Sequence, residues 1–274
     1  MRRFKLQNAA GTEWDLMRKD AYFNAPDGLG FSKSIKTVQA GYSWLKTEDT
    51  LDEPAVSGEM VFKDYLTYQQ FITFISQLPL KLFYASQETW YQIPCEIQSV
   101  GKSEMRSNNL LYCPIAIACF GAWRERSIVK PVQSVVTASK KYTYTYPYKY
   151  ADTVAGSVII ENGNIPSPCK LHIFGPVANP SWSVVQGGVK ILDGKVNITI
   201  PAGNKLVVDA DPLSMEITEQ TKNGDFVANR YQNSDFSTSR FVIVPAGIST
   251  ISFLQSGTEP IDALVEVSIL AASV

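Results

Sequence analysis

Histidine is almost missing from this chain of 274 residues: His172 stands alone. A nucleophile–histidine pair would have to use it, yet no G-x-S-x-G lies near and its neighbours in "KLHIFG" are apolar. It reads as a partly buried strand residue. Cysteine is sparse too. Cys95, Cys113, Cys119 and Cys169 include no C-x-x-C pair, which excludes the usual spacing of a zinc site. They read as core or half-buried thiols without a disulfide. Charge is scarce, at 19% of residues, and Lys plus Arg (25) nearly cancels Asp plus Glu (26). With no basic excess, nucleic acid is not an expected partner. No phosphate loop occurs, because "NAPDGLG" has neither the G-x-G-x-x-G spacing nor a P-loop lysine. No cofactor and no metal are expected. The longest apolar stretch, residues 110–123, is too short for a bilayer and contains a proline, so no membrane partner is expected. "MRRFKLQNAAGTEWDL" has two arginines but no apolar run behind them and does not read as a signal peptide. The expectation is a protein made in a cytoplasm, where thiols stay reduced.

What is present is strand signal. Hydrophobic residues make up 45% of the chain, enough for a large core. "FKLQN" and "EWDL" flank a turn and read as a hairpin, and residues 24–31, "NAPDGLGF", read as a loop. Residues 37–62 begin and end as strand around a charged middle, which suggests a long arm over 45–58 that cannot bury itself. One helix is expected over 64–79, capped by Asp64 and stopped by Pro79. Tyr65, Tyr68, Phe71, Ile72, Ile75 and Leu78 fall near one stripe at helical spacing, facing a sheet. Strands follow at "LKLFYAS", "WYQIPCEIQSVGK" and "NLLYCPIAIACFGAW".

Residues 124–141 turn more polar and read as an extended connection. Beyond them no helix is expected. About eight short strands with Gly, Asn and Pro between them suggest a β-sandwich or jelly roll. "KVNITI" places Val196, Ile198 and Ile200 inward and Asn197 and Thr199 outward. In "YTYTYPYKY", residues 142–150, five tyrosines share one face at strand period. That face points into a core or a domain contact, with Pro147 marking an edge strand. Asp209, Asp211, Glu216 and Glu219 are the only carboxylates that invite comparison with a glycosidase pair, and nothing marks two of them as facing. Trp90 and Trp182 could serve as sugar platforms, though each is more often half-buried. No catalytic, cofactor-binding or metal residue is assigned.

The order of these pieces resembles the distal tail proteins of long-tailed, non-contractile bacteriophages. "FKLQNAAGTEWDL", "APDGLGF", "SGEMVFKDYLTYQQFITFISQLPLKLFYA", "VGKSE" with "LLYCPIAIACFGAW", "YTYTYPYKY" and "IIENGNIPSPCKLHIFGPVANPSW" follow the family's order. The resemblance implies a mainly β protein. Residues 1–135 would form a β-barrel-like ring domain with one α-helix and an extended arm, and residues 136–274 a galectin-like β-sandwich. It implies a non-enzymatic ring, usually a hexamer, at the virion's tail tip, assembled in the host cytoplasm. The ring would join the tail tube protein to the tip or tail-fibre protein and would also hold receptor-binding proteins in many phages. The galectin motifs H-x-N-x-R and W-G-x-E are missing: His172 precedes "IFG" and Trp182 stands in "PSWS". A cell-wall carbohydrate adhesin acting through the sandwich is the second reading, and a wall-degrading enzyme the weakest.

Overall fold

The computed structural model describes residues 2–135, 153–256 and 261–274. The tyrosine strand at 142–150 lies outside the described residues. The protein is mainly β, with one α-helix among the described residues, as the sequence leads one to expect. Two compact units are present: residues 1–126 with 271–274, and residues 127–270.

The first unit opens with β1 (Arg3–Gln7), β2 (Glu13–Asp15) and β3 (Ala21–Asp27), followed by β4 (Lys33–Ala40) and β5 (Ser43–Leu51). Next come β6 (Ala55–Phe62), α1 (Tyr65–Ile75), β7 (Leu80–Ala85), β8 (Tyr91–Val100), β9 (Leu111–Cys119) and the first residues of β10 (Trp123–Pro131), which from Ser127 on belongs to the second unit. Antiparallel ladders join the strands in the order β2–β1–β7–β8–β9–β6–β3, and β10 meets β8 at Arg124 and Gln92. One bridge, Met17 to Tyr22, links the two ends of this series. Leu16 sits beside it, donating its N–H to Phe4 O at 2.9 Å and accepting from Phe23 N at 2.7 Å. The sheet is therefore barrel-like but not closed by a ladder. Alternation fills its interior: on β9, Leu111, Cys113, Ile115, Ile117 and Cys119 are buried and the residues between them are not. Apolar side chains at period two leave one face no other stable place.

The weak seam is covered by rings. Phe4 of β1 meets Phe23 of β3 edge-on at 5.4 Å. Phe71 of α1 reaches Trp14 of β2 at 5.5 Å and Phe62 of β6 at 5.4 Å, so one helical residue spans the gap. Asp64 caps α1, accepting from the Thr67 N–H at 2.8 Å. The helix ends at Ser76, whose N–H returns to Ile72 O, ahead of Pro79. Its buried face is Thr67, Phe71 and Phe74, so the expected stripe is turned: Tyr65 and Leu78 are exposed. Spacing alone could not separate these neighbouring stripes, because Phe74 continues Phe71 at i+3 as well as Leu78 does at i+7.

Three further expectations are corrected. The loop expected at 24–31 is shorter, because β3 continues to Asp27 through a bulge between Asn24 and Asp27 that accommodates Pro26. Gly28 then turns with φ +86°, and a Cβ there would collide with the Ala55 carbonyl. The arm is not 45–58: it is the hairpin β4–β5, while 55–58 belong to β6 inside the barrel-like sheet. The polar run from 124 is paired strand rather than free connection, since Ile128 packs on the core of the second unit.

The second unit contains β11 (Gln133–Val135), β12 (Thr153–Asn162), β13 (Ser167–Phe174), β14 (Val177–Ala178), β15 (Ser181–Gln186) and β16 (Val189–Lys195). It continues with β17 (Thr199–Ile200), β18 (Asn204–Asp209), β19 (Glu216–Thr221), β20 (Phe226–Asn229), β21 (Ile243–Val244), β22 (Gly247–Ser256) and β23 (Asp262–Ala271). One sheet runs β23–β13–β18–β19–β20 and the other β11–β12–β22–β15–β16. They share one core, with Leu171, Ile173, Val208 and Val265 from the first and Ile160, Trp182, Val184 and Phe253 from the second. This is a β-sandwich. Val196 and Ile200 are fully buried and Asn197 and Thr199 exposed, as the alternation indicates. Asn162 donates to Val244 O at 2.8 Å and reaches the carbonyls of Ile165 and Pro245, tying two loops together. Opposite Trp182 stands Gly194, where a Cβ would fall 2.5 Å from the indole.

Two substitutions test these cores by denaturant unfolding. Phe71→Ala is expected to cost about 3–5 kcal/mol and Phe71→Leu much less, because only the first opens the seam. Gly194→Ala is expected to cost about 1–3 kcal/mol by forcing the buried Trp182 ring aside. Near-neutral results would show that the seam and the indole can relax freely.

Candidate assembly interface

The β4–β5 hairpin is the most unusual surface of the first unit. Every one of its strand residues is exposed. The pairing puts Ile35 and Trp44 on one face and Val38 opposite Leu45 on the other, with a register shift at Lys36–Thr37. Exposure is 58% for Ile35, 55% for Val38, 66% for Trp44 and 57% for Leu45, so neither face has found a core. A two-stranded hairpin on its own is marginal in water. Charges hold it open: Lys36 pairs with Glu48 at 2.6 Å, and Asp49 is shared by Lys33 and Lys46. Its base is tied by Asp52, which accepts from the hydroxyls of Ser32 and Ser34 at 2.5 and 2.6 Å. Those two hydrogen bonds, Ser32 first, hold the Asp52 carboxyl below its ordinary value. Beside the base lies a cleft of about 740 Å³, lined by Gly28, Phe31, Leu51, Asp52, Ala122 and Trp123 among others.

The residues that a lectin or hydrolase would have needed are otherwise engaged. Trp182 is 2% exposed and packs in the sandwich core. Trp90 is covered by cations, with Arg3 at 4.8 Å and Lys5 at 5.0 Å from its ring. Asp209 does stand opposite Glu216, a pairing the sequence left unmarked. It is buried, however, with Lys170 at 3.0 Å and the Ser214 hydroxyl at 2.8 Å on its Oδ2. Glu219 is buried and clasped by Arg230 at 2.6 and 2.9 Å and by Asn204 at 2.5 Å. Burial alone would raise its carboxyl, but these hydrogen bonds outweigh it and hold the group below the usual range. Asp211 caps its own turn through Leu213 N. Burial, and then Lys205, lower the His172 imidazole, which lies 3.6 Å from Glu266. All four cysteines are buried, and burial pushes Cys95 up to about 12 and Cys119 to about 11. Among the described residues no group of three His, Cys, Asp or Glu could hold a metal ion. No helix among them is long and apolar enough to cross a membrane.

The sequence misplaced the arm that forms this surface. It placed the arm too late, because β4 looks like an ordinary strand until it is seen that, among the described residues, β5 is its one partner.

Comparison with known proteins supplies the context. Residues 3–120 match the N-terminal domain of distal tail proteins. The crystal structure of the SPP1 Dit protein, described as a hub of the adsorption apparatus of phages infecting Gram-positive hosts, aligns with a TM-score of 0.65 at 9% identity, covering 97% of this chain and 98% of that one. A chain of the phage P2 baseplate in its activated conformation with calcium aligns with a TM-score of 0.56 at 16% identity, over the full length of both. No curated protein matches. Residues 3–120 thus resemble the N-terminal domain of distal tail proteins, in a chain whose fold, along its length, is similar to those of the SPP1 Dit protein and the phage P2 baseplate chain.

Proposed function

We propose that this chain forms a ring, hexameric by analogy with its family, at the tip of a non-contractile phage tail, joining the tail tube to the tip and receptor-binding proteins. Residues 1–135 would make the ring and residues 136–274 the outward, galectin-like sandwich. The role is structural and involves no catalysis. The observation that carries the reading is the β4–β5 hairpin, with apolar side chains exposed on both faces and a braced base. Laid on a neighbouring copy, it would pair its free edges and bury Trp44 and Leu45. Cyclic symmetry would satisfy every copy in the same way. The buried Trp182 and the cation-covered Trp90 speak against a sugar platform at either tryptophan.

Removal of the hairpin tests this. The full chain is expected to give rings with a central hole in negative stain, and a variant in which a Gly-Ser turn replaces residues 34–50 is expected to stay a folded monomer by light scattering. Trp44→Ser with Val38→Ser should weaken assembly at least tenfold, since each side chain would lose an apolar contact worth about 1.5–3 kcal/mol. Rings that form unchanged without the hairpin, or a full chain that stays monomeric even with its tail tube protein added, would refute the proposal.

A further inference from the structure

The loop after β20 holds an arginine without an ion-pair partner among the described residues. Arg240 has φ +60°, a left-handed backbone that costs energy for a residue with a side chain. Its guanidinium carbon lies 4.8 Å from the centre of the Phe236 ring and 5.6 Å from that of Tyr231. Its Nε is buried and has no hydrogen-bond partner. None of the ion pairs among the described residues includes it. Arg230, on the same loop, is the contrast, since both its Nε and its Nη2 already bond Glu219.

The rings around Arg240 are arranged as a holder. Tyr231 meets Phe236 edge-on at 5.5 Å and stacks on Phe241 at 6.4 Å. Phe236 remains 57% exposed and Tyr231 37%. A guanidinium set on aromatic faces keeps its plane fixed, and with Nε buried its two terminal nitrogens are the pair left to hold a carboxylate two-pronged. The neighbouring edge strand β20 adds exposed Phe226 and Val227.

We propose that Arg240, held by Tyr231 and Phe236, is a docking point for a carboxylate side chain on a partner protein. The inference rests on the reading of this chain as a hub that holds other proteins. The class of ligand follows from three comparisons. A phosphate polymer calls for a row of cations, and this cluster offers one. A neutral sugar calls for open ring faces, and these rings are already packed on one another and on the guanidinium. An acidic side chain amid apolar neighbours needs one charge and an apolar rim, and Arg with Tyr is the composition of interface hot spots.

The test uses the full chain and two fluorescein-labelled peptides, Gly-Ser-Phe-Glu-Phe-Ser-Gly and the same peptide with Gln for Glu, followed by anisotropy. The Glu peptide is expected to bind at least fivefold more tightly than the Gln peptide. Arg240→Gln should abolish that preference, and Arg240→Lys, which keeps the charge without the fork, should retain only part of it. Equal binding of the two peptides, no binding of either, or an unchanged preference in Arg240→Gln would overturn the proposal. Displacement of the Glu peptide by inorganic phosphate at lower concentration than by acetate would also overturn it, in favour of a phosphate ligand. An unchanged melting temperature in Arg240→Gln certifies its fold. Light scattering on the same variant separates the two readings, because ring formation belongs to the hairpin and peptide preference to Arg240.

Discussion

The first unit depends on how its sheet is held together where hydrogen bonds run out. Six ladders carry the order β2–β1–β7–β8–β9–β6–β3, and among the described residues only the Met17–Tyr22 bridge joins its ends. Backbone pairing contributes little at that seam. Side chains take over: Phe4 against Phe23, and Phe71 between Trp14 and Phe62. Helix α1 is thus a clamp as much as a lid. Its N-cap and its aromatic face are two parts of one device, because the cap at Asp64 sets where Phe71 falls.

Against that closed interior the hairpin is the opposite solution. Its apolar residues are spread over both faces, so no single sheet of the same chain could bury them all. Its lysines and carboxylates alternate with those residues and pair across the strands. Such interleaved charge is how natural sheets keep exposed edges from sticking at random. The same segment therefore suits a specific neighbour and resists unspecific ones.

Most of the sandwich and the helix were legible because they obey single rules. Val196, Ile198 and Ile200 follow period two, and Asp64 and Thr67 follow capping chemistry. What was not legible depended on partners distant in sequence. The arm was placed late because β6 takes its identity from β9, more than fifty residues on, and not from its own pattern. The polar run after Arg124 hid Ile128, whose burial depends on the sandwich core. Arg240 gave no motif at all. Its significance comes from the rings that hold it and from the lack of a counter-ion among the described residues, neither of which a sequence records.

Ala271 and Val274, both partly buried, pack against the hydrophobic core of the first unit, and the Val274 N–H bonds Leu29 O at 3.2 Å. That unit is therefore discontinuous in the chain, with the whole of the sandwich sequence threaded between its parts. On a ribosome the N-terminal strands emerge first but wait longest for their last contacts. The sandwich residues have all been made by the time Val274 is added. Order of synthesis and order of completion are reversed, and the barrel-like unit is sealed only after its successor exists.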